Sequence, residues 1–378
     1  MYNLTFVGAG PSTIGAILKL IDKEYKGKIL IIEKGKSLNS RQPNEVLNGF
    51  AGAGCFSDSK LSSALDVGGV IPGLTKEKLD EYSSYILTKL SNFKANTLSP
   101  SPLKWDNIST FDTTGTGLKW DTHDTCHVGT DNGQAIYKEI EKFIALQPNI
   151  ELLFETEVLD VANLGEDKYT LYLSNGQTIE TNKLVLATGQ KNNLPAKLIM
   201  KFNLTSTPRA LQLGVRVVDE LNDQYRDIIK ANYDFKFVKS YTYGDIRVRV
   251  RTFCCNSGNA HVCAEKAPEG FTCFNGHAYK TPDPTNNTVN YGIICEVEGL
   301  EAYKEKINQI ELMKKVNTIS NWYEDNFTPN QTEPVPAKKL LEGFEHLRGY
   351  YPEEVIESLI DFTQELSKII DLSKASHK

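Results

Sequence analysis

The chain has 378 residues, 40% hydrophobic and 24% charged, a composition that suits a globular protein with ordinary buried cores. Its formal net charge of -6 argues against a surface for non-specific binding to nucleic acid or anionic membrane, although a local basic groove stays open. The seven cysteines are scattered, the N-terminus lacks the features of a signal peptide, and no apolar run has membrane-spanning length. These features predict a cytoplasmic protein with reduced thiols and no membrane partner.

The N-terminal segment predicts a strand, a glycine turn, a helix and a second strand. Leu4 to Val7 is a short apolar run, and GAGPST follows it. Ile14 to Ile21 carries apolar residues at helical spacing, and Lys28 to Glu33 is a second strand-like run. A dinucleotide-binding glycine motif occurs in a unit of this kind, about thirty residues long.

The next part of the chain predicts a long loop region and then further strands. Ser37 to about Pro100 is rich in Gly, Ser and Asn, with one helix expected at Lys76 to Leu90. Gln134 to Ala145 is amphipathic and leads into a strand at Ile150 to Phe154. Asn175 and Gly176 suit a two-residue hairpin turn. The strands predicted around and after that turn are Lys168 to Leu173, Gln177 to Glu180 and Lys183 to Leu186.

Beyond residue 207 the pattern changes to strand-like segments joined by polar loops. We therefore predict an α/β fold with a Rossmann-type domain at 1–207, an inserted β-rich substrate domain at 208–300 and a helical segment at 301–378. Helices are expected at Glu301 to Tyr323 and at Pro352 to Leu372. The strands expected in the β-rich domain include Leu213 to Val218, Asp245 to Phe253 and Asn290 to Val297.

The glycine turn supports a first chemical hypothesis, a dinucleotide site. Gly8 and Gly10 let the backbone turn tightly and approach a pyrophosphate, whose charge suits the N-terminus of the following helix. Glu33 ends the second strand, where a carboxylate accepts hydrogen bonds from ribose hydroxyls and disfavours a 2'-phosphate. Thr13 occupies the place of the third glycine, so a turn kept only for helix packing is the alternative.

Several segments resemble one family. Residues 52–61 read GAGCFSDSKL and are similar to the GGAGTFSDGKL signature of poorly characterised FAD-dependent dehydrogenases with a glutathione-reductase-like FAD domain. Further segments resemble that family in the same order: HVGTD at 127–131, LVLATG at 184–189, LGVRV at 213–217 and RTFCCNSG at 251–258. The resemblance implies that the Rossmann-type domain binds FAD and that the protein oxidises a small-molecule substrate.

The resemblance also implies residue roles. It places Lys60 and Asp58 beside the isoalloxazine, where a cation and backbone amides stabilise an anionic reduced flavin, and Lys60 is the first catalytic candidate. The alternative for Lys60 is a solvated surface lysine. His127 and His277 are candidate acid/base groups, with a locally hydrogen-bonded histidine as the alternative for each, and Cys254 is a further catalytic candidate. The expected cofactor-binding residues are Gly8, Gly10, Pro11, Ser12, Glu33, Lys34, Arg41, Gly52, Gly54, Val158, Thr188 and Gly189.

A short span rich in Cys and His admits a zinc site as an alternative. The spacing fits no standard finger or ribbon, so we predict no metal and expect interior residues of the sheet domain, with one or two facing substrate. These residues are Cys254, Cys255, His261, Cys263, Cys273 and His277.

The chain departs from the family pattern in two places. Asn256 occupies the position of the family's second cysteine, and no counterpart is found of the ETRTSSPVR-like strand or of the GEGAGYAGG-like segment that closes over the flavin. A partner chain that supplies this segment is therefore one expectation. Three hypotheses stay open: a FAD-dependent oxidoreductase, a non-catalytic nucleotide-binding subunit completed by a partner chain, and a flavoenzyme that modifies a nucleic-acid base or its adduct.

Overall fold

The computed structural model divides the chain into two compact units. The first comprises residues 1–61, 75–104 and 128–207, and the second comprises 62–74, 105–127 and 208–378. The described residues are 1–42, 45–65, 67, 71–98, 100–165, 167–189, 193–205, 211–266, 272–298, 341, 343–345, 347–348 and 351–377. The helix predicted at Glu301 to Tyr323 lies outside them.

Strands and helices alternate in the first half of the described chain, and strands dominate the second half. The strands are β1 Leu4–Val7, β2 Ile29–Ile32, β3 Leu61–Ser63, β4 Lys119–Asp121, β5 Asp124–Cys126, β6 Ile150–Leu153, β7 Val158–Gly165, β8 Lys168–Leu173, β9 Thr178–Thr181, β10 Leu184–Leu186, β11 Leu211–Glu220, β12 Lys236–Tyr243, β13 Ile246–Lys266, β14 Thr272–Tyr279, β15 Thr288–Glu298 and β16 Ser376–His377. The helices are α1 Pro11–Asp22, α2 Lys76–Lys94, α3 Thr130–Ala145, α4 Leu194–Lys201, α5 Asp223–Ala231 and α6 Glu353–Leu366.

The first unit is built on a parallel sheet with the strand order β10-β1-β2-β6. Val7 at the end of β1 pairs with Ile32 on one side and with Leu186 on the other. Every residue of β2 is buried, as is usual for an inner strand of a parallel sheet, which is covered on both faces. The β1-α1-β2 crossover is the strand, turn, helix and strand that the sequence predicts, and the chain is a mixed α/β protein.

A second, antiparallel sheet of the first unit has the order β7-β8-β9. Val161 and Leu171 of this sheet belong to one buried cluster with Leu30 and Ile32, so it packs against the parallel sheet. Gly176 has φ +80 at the predicted Asn-Gly turn, a backbone conformation that glycine adopts without strain.

The second unit is built on a seven-stranded sheet with the order β16-β11-β15-β13-β12-β4, with β14 paired to β13. Neighbouring strands of this sheet pair antiparallel, and a bulge interrupts β13 between Phe253 and Asn256. The helix predicted at Pro352 to Leu372 is observed as α6, and apolar residues at helical spacing along it pack into the same core as the sheet. Among them, Val355, Leu359, Phe362 and Leu366 are fully buried.

The compact units differ from the three predicted segments in two respects. Residues 62–74 and 105–127 belong to the second unit, where β4 pairs with β12. Helix α6 shares the core of the β-rich sheet and does not form a separate segment. Both differences come from long-range strand pairing and packing, which leave no local pattern in the sequence. Among the described residues, no helix is long and apolar enough to cross a bilayer.

Candidate functional site

The turn after β1 leads directly into the N-terminus of α1, where a ligand can meet backbone amides. Gly8 has φ +102, and a Cβ at this position would lie 2.3 Å from the carbonyl oxygen of Ala187, so only glycine fits. Gly10 is the N-cap of α1 and Pro11 follows it, and no side chain caps the helix. The first amides of a helix have no acceptor within it, and the helix dipole favours an anion there.

A cavity of about 500 Å³ opens beside this turn, within the first unit. This volume lies in the range of sites that bind cofactors and other small ligands. Its wall combines the turn and the start of α1 with the ends of β2 and β10 and the start of β7. Most of the predicted cofactor residues line it, namely Gly8, Gly10, Pro11, Ser12, Glu33, Lys34, Gly52, Val158, Thr188 and Gly189.

Glu33 lies directly after β2, and its carboxylate ties three backbone segments together. Oε2 accepts a hydrogen bond from the amide of Ala9 at 2.8 Å. Oε1 accepts from the amides of Gly35 at 2.8 Å and Gly49 at 3.0 Å. A carboxylate has about four lone-pair sites, so capacity remains for a ribose hydroxyl. Glu33 therefore shapes the cavity wall as well as facing it.

Lys34 and Glu157 form an ion pair on the cavity wall. Nζ of Lys34 lies 3.2 Å from Oε1 of Glu157, and both side chains are partly exposed. An exposed pair of this kind contributes at most about 1 kcal/mol. Lys34 is therefore free to exchange Glu157 for a more highly charged anion in the cavity.

Arg41 is predicted to bind the cofactor, and the structure places it behind the cavity wall. Its Nη1 donates to the carbonyl oxygens of Phe50 at 2.6 Å and Gly52 at 3.0 Å, and its Nη2 donates to that of Val46 at 3.1 Å. Burial lowers the pKa of the guanidinium, and nearby acidic groups oppose this shift. Arg41 therefore supports the loop that lines the cavity.

Gly54 also lies outside the cavity wall. A Cβ at this position would lie 2.8 Å from Cγ of Pro11 and 3.1 Å from Oη of Tyr137. The glycine thus lets this segment approach both the start of α1 and the face of α3. Sequence resemblance alone does not distinguish this packing role from contact with a cofactor.

The predicted pair of Lys60 and Asp58 lies in a strained segment of the first unit. Asp58 has φ +69 and Ser59 has φ +49, values that non-glycine residues rarely adopt. The amide of Gly129 donates to the carbonyl oxygen of Asp58 at 2.9 Å, and the Asp58 amide donates to Oγ1 of Thr130 at 3.2 Å. Nζ of Lys60 lies 3.8 Å from the buried carboxylate of Asp58, with the lysine side chain 9% exposed. Lys60 is therefore a buried, paired cation and not a solvated surface lysine.

The other two catalytic candidates belong to the second unit. His127 stacks on Tyr233, with ring centroids 3.8 Å apart and an interplanar angle of 13°. Its amide donates to Oδ2 of Asp106 at 3.1 Å. Cys254 has φ +49 at the bulge of β13, and its carbonyl oxygen accepts a hydrogen bond from Nη2 of Arg216 at 2.8 Å. Neither residue lines the cavity of the first unit.

The Cys and His residues weighed as zinc ligands divide between two places on the β-rich sheet. Cys255 is fully buried in the core, whereas His261, Cys263 and His277 lie on one face of the β13-β14 pair. The side chain of Cys273 is outside the described part of the structure. Within that part, no three Cys, His, Asp or Glu side chains are grouped so as to hold a metal ion.

The fold also brings together several polar residues that were not predicted as site residues from the sequence. Asn48 and Thr156 line the cavity, and no motif marks either of them. In the second unit, Nζ of Lys236 lies 3.2 Å from both ring nitrogens of His123 and 3.9 Å from Oδ2 of Asp234. The available signal was Lys236 between two phenylalanines in a strand-like run, which is an unusual place for a charge.

Comparisons with known proteins give distant likenesses. No family model matches the chain. An uncharacterised protein of Clostridium beijerinckii is 22% identical over 392 residues, covering 93% of this chain and 66% of that protein. The chain therefore spans slightly less than two thirds of the length of this relative.

Among solved structures, PqsL of Pseudomonas aeruginosa, described as a probable FAD-dependent monooxygenase, has 11% identity and a TM-score of 0.38, with 100% of this chain and 72% of that chain covered. CtdE, solved in complex with FAD, has 10% identity and a TM-score of 0.38, with 100% and 71% covered. Likenesses at this level carry no argument about the activity of this chain.

Proposed function

We propose that this chain is a FAD-dependent oxidoreductase, of the dehydrogenase or oxidase type, that acts on a small-molecule substrate. The observation that carries the proposal is the cavity of the first unit. Residues that are far apart in the chain, and that the family resemblance implies as FAD ligands, line that one cavity. A glycine turn kept only for helix packing would not require the end of β2, the start of β7 and the end of β10 to converge there.

The wall residues fit the adenosine diphosphate half of FAD. The first-turn amides of α1 suit the pyrophosphate, and a Cβ on Gly10 would meet no atom within 4 Å, so the backbone is open to a ligand there. Glu33 suits the ribose hydroxyls, and Val158 suits adenine through its backbone. The proposed fold subtype is accordingly a glutathione-reductase-like Rossmann domain.

FAD, when bound, supplies hydride or electron transfer. In the proposal, Lys60 holds a positive charge next to the isoalloxazine, and Asp58 keeps that lysine oriented across the 3.8 Å ion pair. The strained backbone at Asp58 and Ser59 supports this assignment, because such strain is concentrated at functional sites. The scattered free thiols suit a cytoplasmic location, which is part of the same proposal.

A nucleotide-binding subunit completed by a partner chain is the second candidate. Strand β10 is an edge of the parallel sheet among the described strands. Val185 and Leu186 of this strand are 38% and 39% exposed and also line the cavity. Edges of parallel sheets are usually covered, so a segment of another chain paired beside β10 would close this side of the wall.

The visible absorbance spectrum of the freshly purified protein tests the proposal. FAD released on denaturation and identified by chromatography is the expected result. A colourless protein that also fails to take up added FAD contradicts a stand-alone flavoenzyme. FAD uptake only in the presence of a copurifying polypeptide would instead support the second candidate.

A further inference from the structure

The hairpin formed by β13 and β14 has two unlike faces. His261 pairs with His277 across the ladder, and residues two apart on a strand share a face. Ala260 and Ala278 lie on the opposite face and are buried. The polar face carries Asn259, His261 and Cys263 from β13, and Asn275, His277 and Tyr279 from β14. A nucleophile and titratable groups are therefore concentrated on one side.

Cys263 and His277 contact each other on the polar face. Sγ of Cys263 lies 3.4 Å from Nε2 of His277. The two residues are diagonal neighbours, because Cys263 pairs with Asn275, two positions before His277. Cys263 is only partly buried, whereas His277 is 7% exposed. An imidazole within hydrogen-bonding reach of a thiol can accept its proton and favours the thiolate.

The second histidine has different partners. Nε2 of His261 lies 2.7 Å from Oδ1 of Asn259 and 3.2 Å from Nδ2 of Asn286. Burial lowers the pKa of His261, and the charge of Asp283 opposes this effect. A neutral His261 does not compete with His277 for the thiol proton, so it offers a matched control.

Two aromatic rings lie near His277 on the polar face. The rings of His261 and Tyr279 lie with centroids 5.5 Å and 5.2 Å from that of His277. Lys280 comes directly after β14, and its Nζ lies 5.6 Å from the ring centroid of Tyr233.

Other thiols of the described chain lie in different environments. Burial raises the pKa of Cys55 to about 11, and it raises that of Cys295 further. Cys255 is fully buried. Cys254 is partly exposed like Cys263, but its sulfur makes no hydrogen bond within the described residues. Cys254 is thus an internal reference for a thiol of similar exposure without an imidazole partner.

We propose that Cys263 and His277 form a nucleophilic dyad that takes small, soft carbon electrophiles, at a site outside the cofactor cavity. The thiol proton moves to Nε2 of His277, and the sulfur electron pair forms a bond to the electrophilic carbon. With iodoacetamide as the probe, the carbon–iodine bond breaks and iodide leaves with the bonding electrons. The step requires no oxidant or reductant and does not depend on bound FAD.

Alkylation of the full-length protein with iodoacetamide, quantified for each cysteine peptide by mass spectrometry, tests the dyad. At pH 7 we expect Cys263 to react at least ten times faster than Cys254. We also expect the rate at Cys263 to rise with an inflection clearly below pH 8.5, about the pKa of a free thiol. Equal rates at the two cysteines, or an inflection at or above that of a free thiol, would overturn the proposal.

Substitution of the two histidines separates the imidazole effect from packing. His277→Gln should slow alkylation of Cys263 at least tenfold at pH 7, with recovery above pH about 9.5, where the thiol ionises without a base. His261→Gln should change the rate less than twofold. The same loss in both variants contradicts a specific dyad. If circular dichroism shows that His277→Gln is unfolded, the pH profile of the unsubstituted protein decides the question.

Discussion

Gly8 and Gly10 serve different purposes although they belong to the same turn. Gly8 combines φ +102 with a Cβ position 2.3 Å from the carbonyl oxygen of Ala187, so its glycine is required by the fold. Gly10 has φ -74, which any residue adopts, and its Cβ position is open. We therefore expect that ligand binding, and not backbone conformation, requires a glycine at position 10.

Alanine substitutions distinguish the two glycines. Gly8→Ala should lower the free energy of unfolding by about 2–4 kcal/mol through strain and overlap. Gly10→Ala should cost less than about 1 kcal/mol, as expected at an N-cap, yet weaken FAD binding at least tenfold by holding the pyrophosphate away. Urea unfolding and FAD titration measure the two quantities. Unchanged FAD affinity in Gly10→Ala would contradict the proposed placement of the pyrophosphate.

Lys60 provides a residue-scale test of the proposed flavin position. A buried cation beside the isoalloxazine stabilises the anionic reduced flavin, so Lys60→Gln should lower the midpoint potential of bound FAD by on the order of 30 mV or more, a tenfold effect for a two-electron couple. Lys60→Arg keeps the charge and should retain most of the potential. Lys34→Gln is the matched control, because Lys34 lies beside Glu33 in the proposed ribose region. Equal shifts of the midpoint potential in Lys60→Gln and Lys34→Gln would contradict the proposed position of Lys60 beside the isoalloxazine.

At the scale of elements, the segment of residues 45–56 is organised by the side chain of Arg41. The Arg41 guanidinium donates to carbonyl oxygens of Val46, Phe50 and Gly52 and lies 4.3 Å from the ring centroid of Phe56. Part of this loop forms the cavity wall. A planar guanidinium can serve several acceptors at once, which a lysine ammonium cannot do in the same geometry.

Arg41→Lys should therefore loosen this loop while keeping the charge. We expect a loss of about 2 kcal/mol or more in the free energy of unfolding and faster amide hydrogen exchange in residues 45–56. Arg226→Lys is the control, because Arg226 is an exposed residue of α5. Its expected effect is less than about 0.5 kcal/mol. Unchanged exchange in the loop would show that Arg41 does not hold it.

At the scale of the whole molecule, a buried carboxyl group links stability to pH. Asp219 is 5% exposed, and burial raises its pKa to about 6, although its hydrogen bonds from Tyr225 and Glu220 oppose this shift. The pKa of an unfolded aspartate is about 3.9, so the folded state binds this proton more tightly. The stabilisation from protonated Asp219 is complete below pH about 4 and is lost as the pH rises through 6.

Asp219→Asn should remove this dependence. The amide supplies an oxygen to the Glu220 amide and a donor to the Tyr225 hydroxyl, so the variant should be more stable at pH 7 by on the order of 2 kcal/mol. Urea unfolding from pH 4 to pH 7 measures the slope. Asp223→Asn, at an exposed position of α5, should leave that slope unchanged. An equal slope in Asp219→Asn and the unsubstituted protein would contradict the assignment.

Local sequence patterns determined the parts of this fold that depend on neighbouring residues. The β1-α1-β2 unit follows from apolar periodicity around a glycine turn, and the turn at Asn175 and Gly176 follows from backbone preference. The apolar stripe of α6 was also readable, because side chains at helical spacing share a face. Resemblance added the candidate ligand residues, and their roles stay predictions.

Tertiary structure decided which distant residues meet. Arg41 lies behind the cavity wall, and β4 belongs to the sheet of the second unit. The register of β13 and β14 brings Cys263 into contact with His277. Such contacts depend on strand order and register. A shift of one residue moves every side chain of a strand to the other face, and no pattern along the chain states that register by itself.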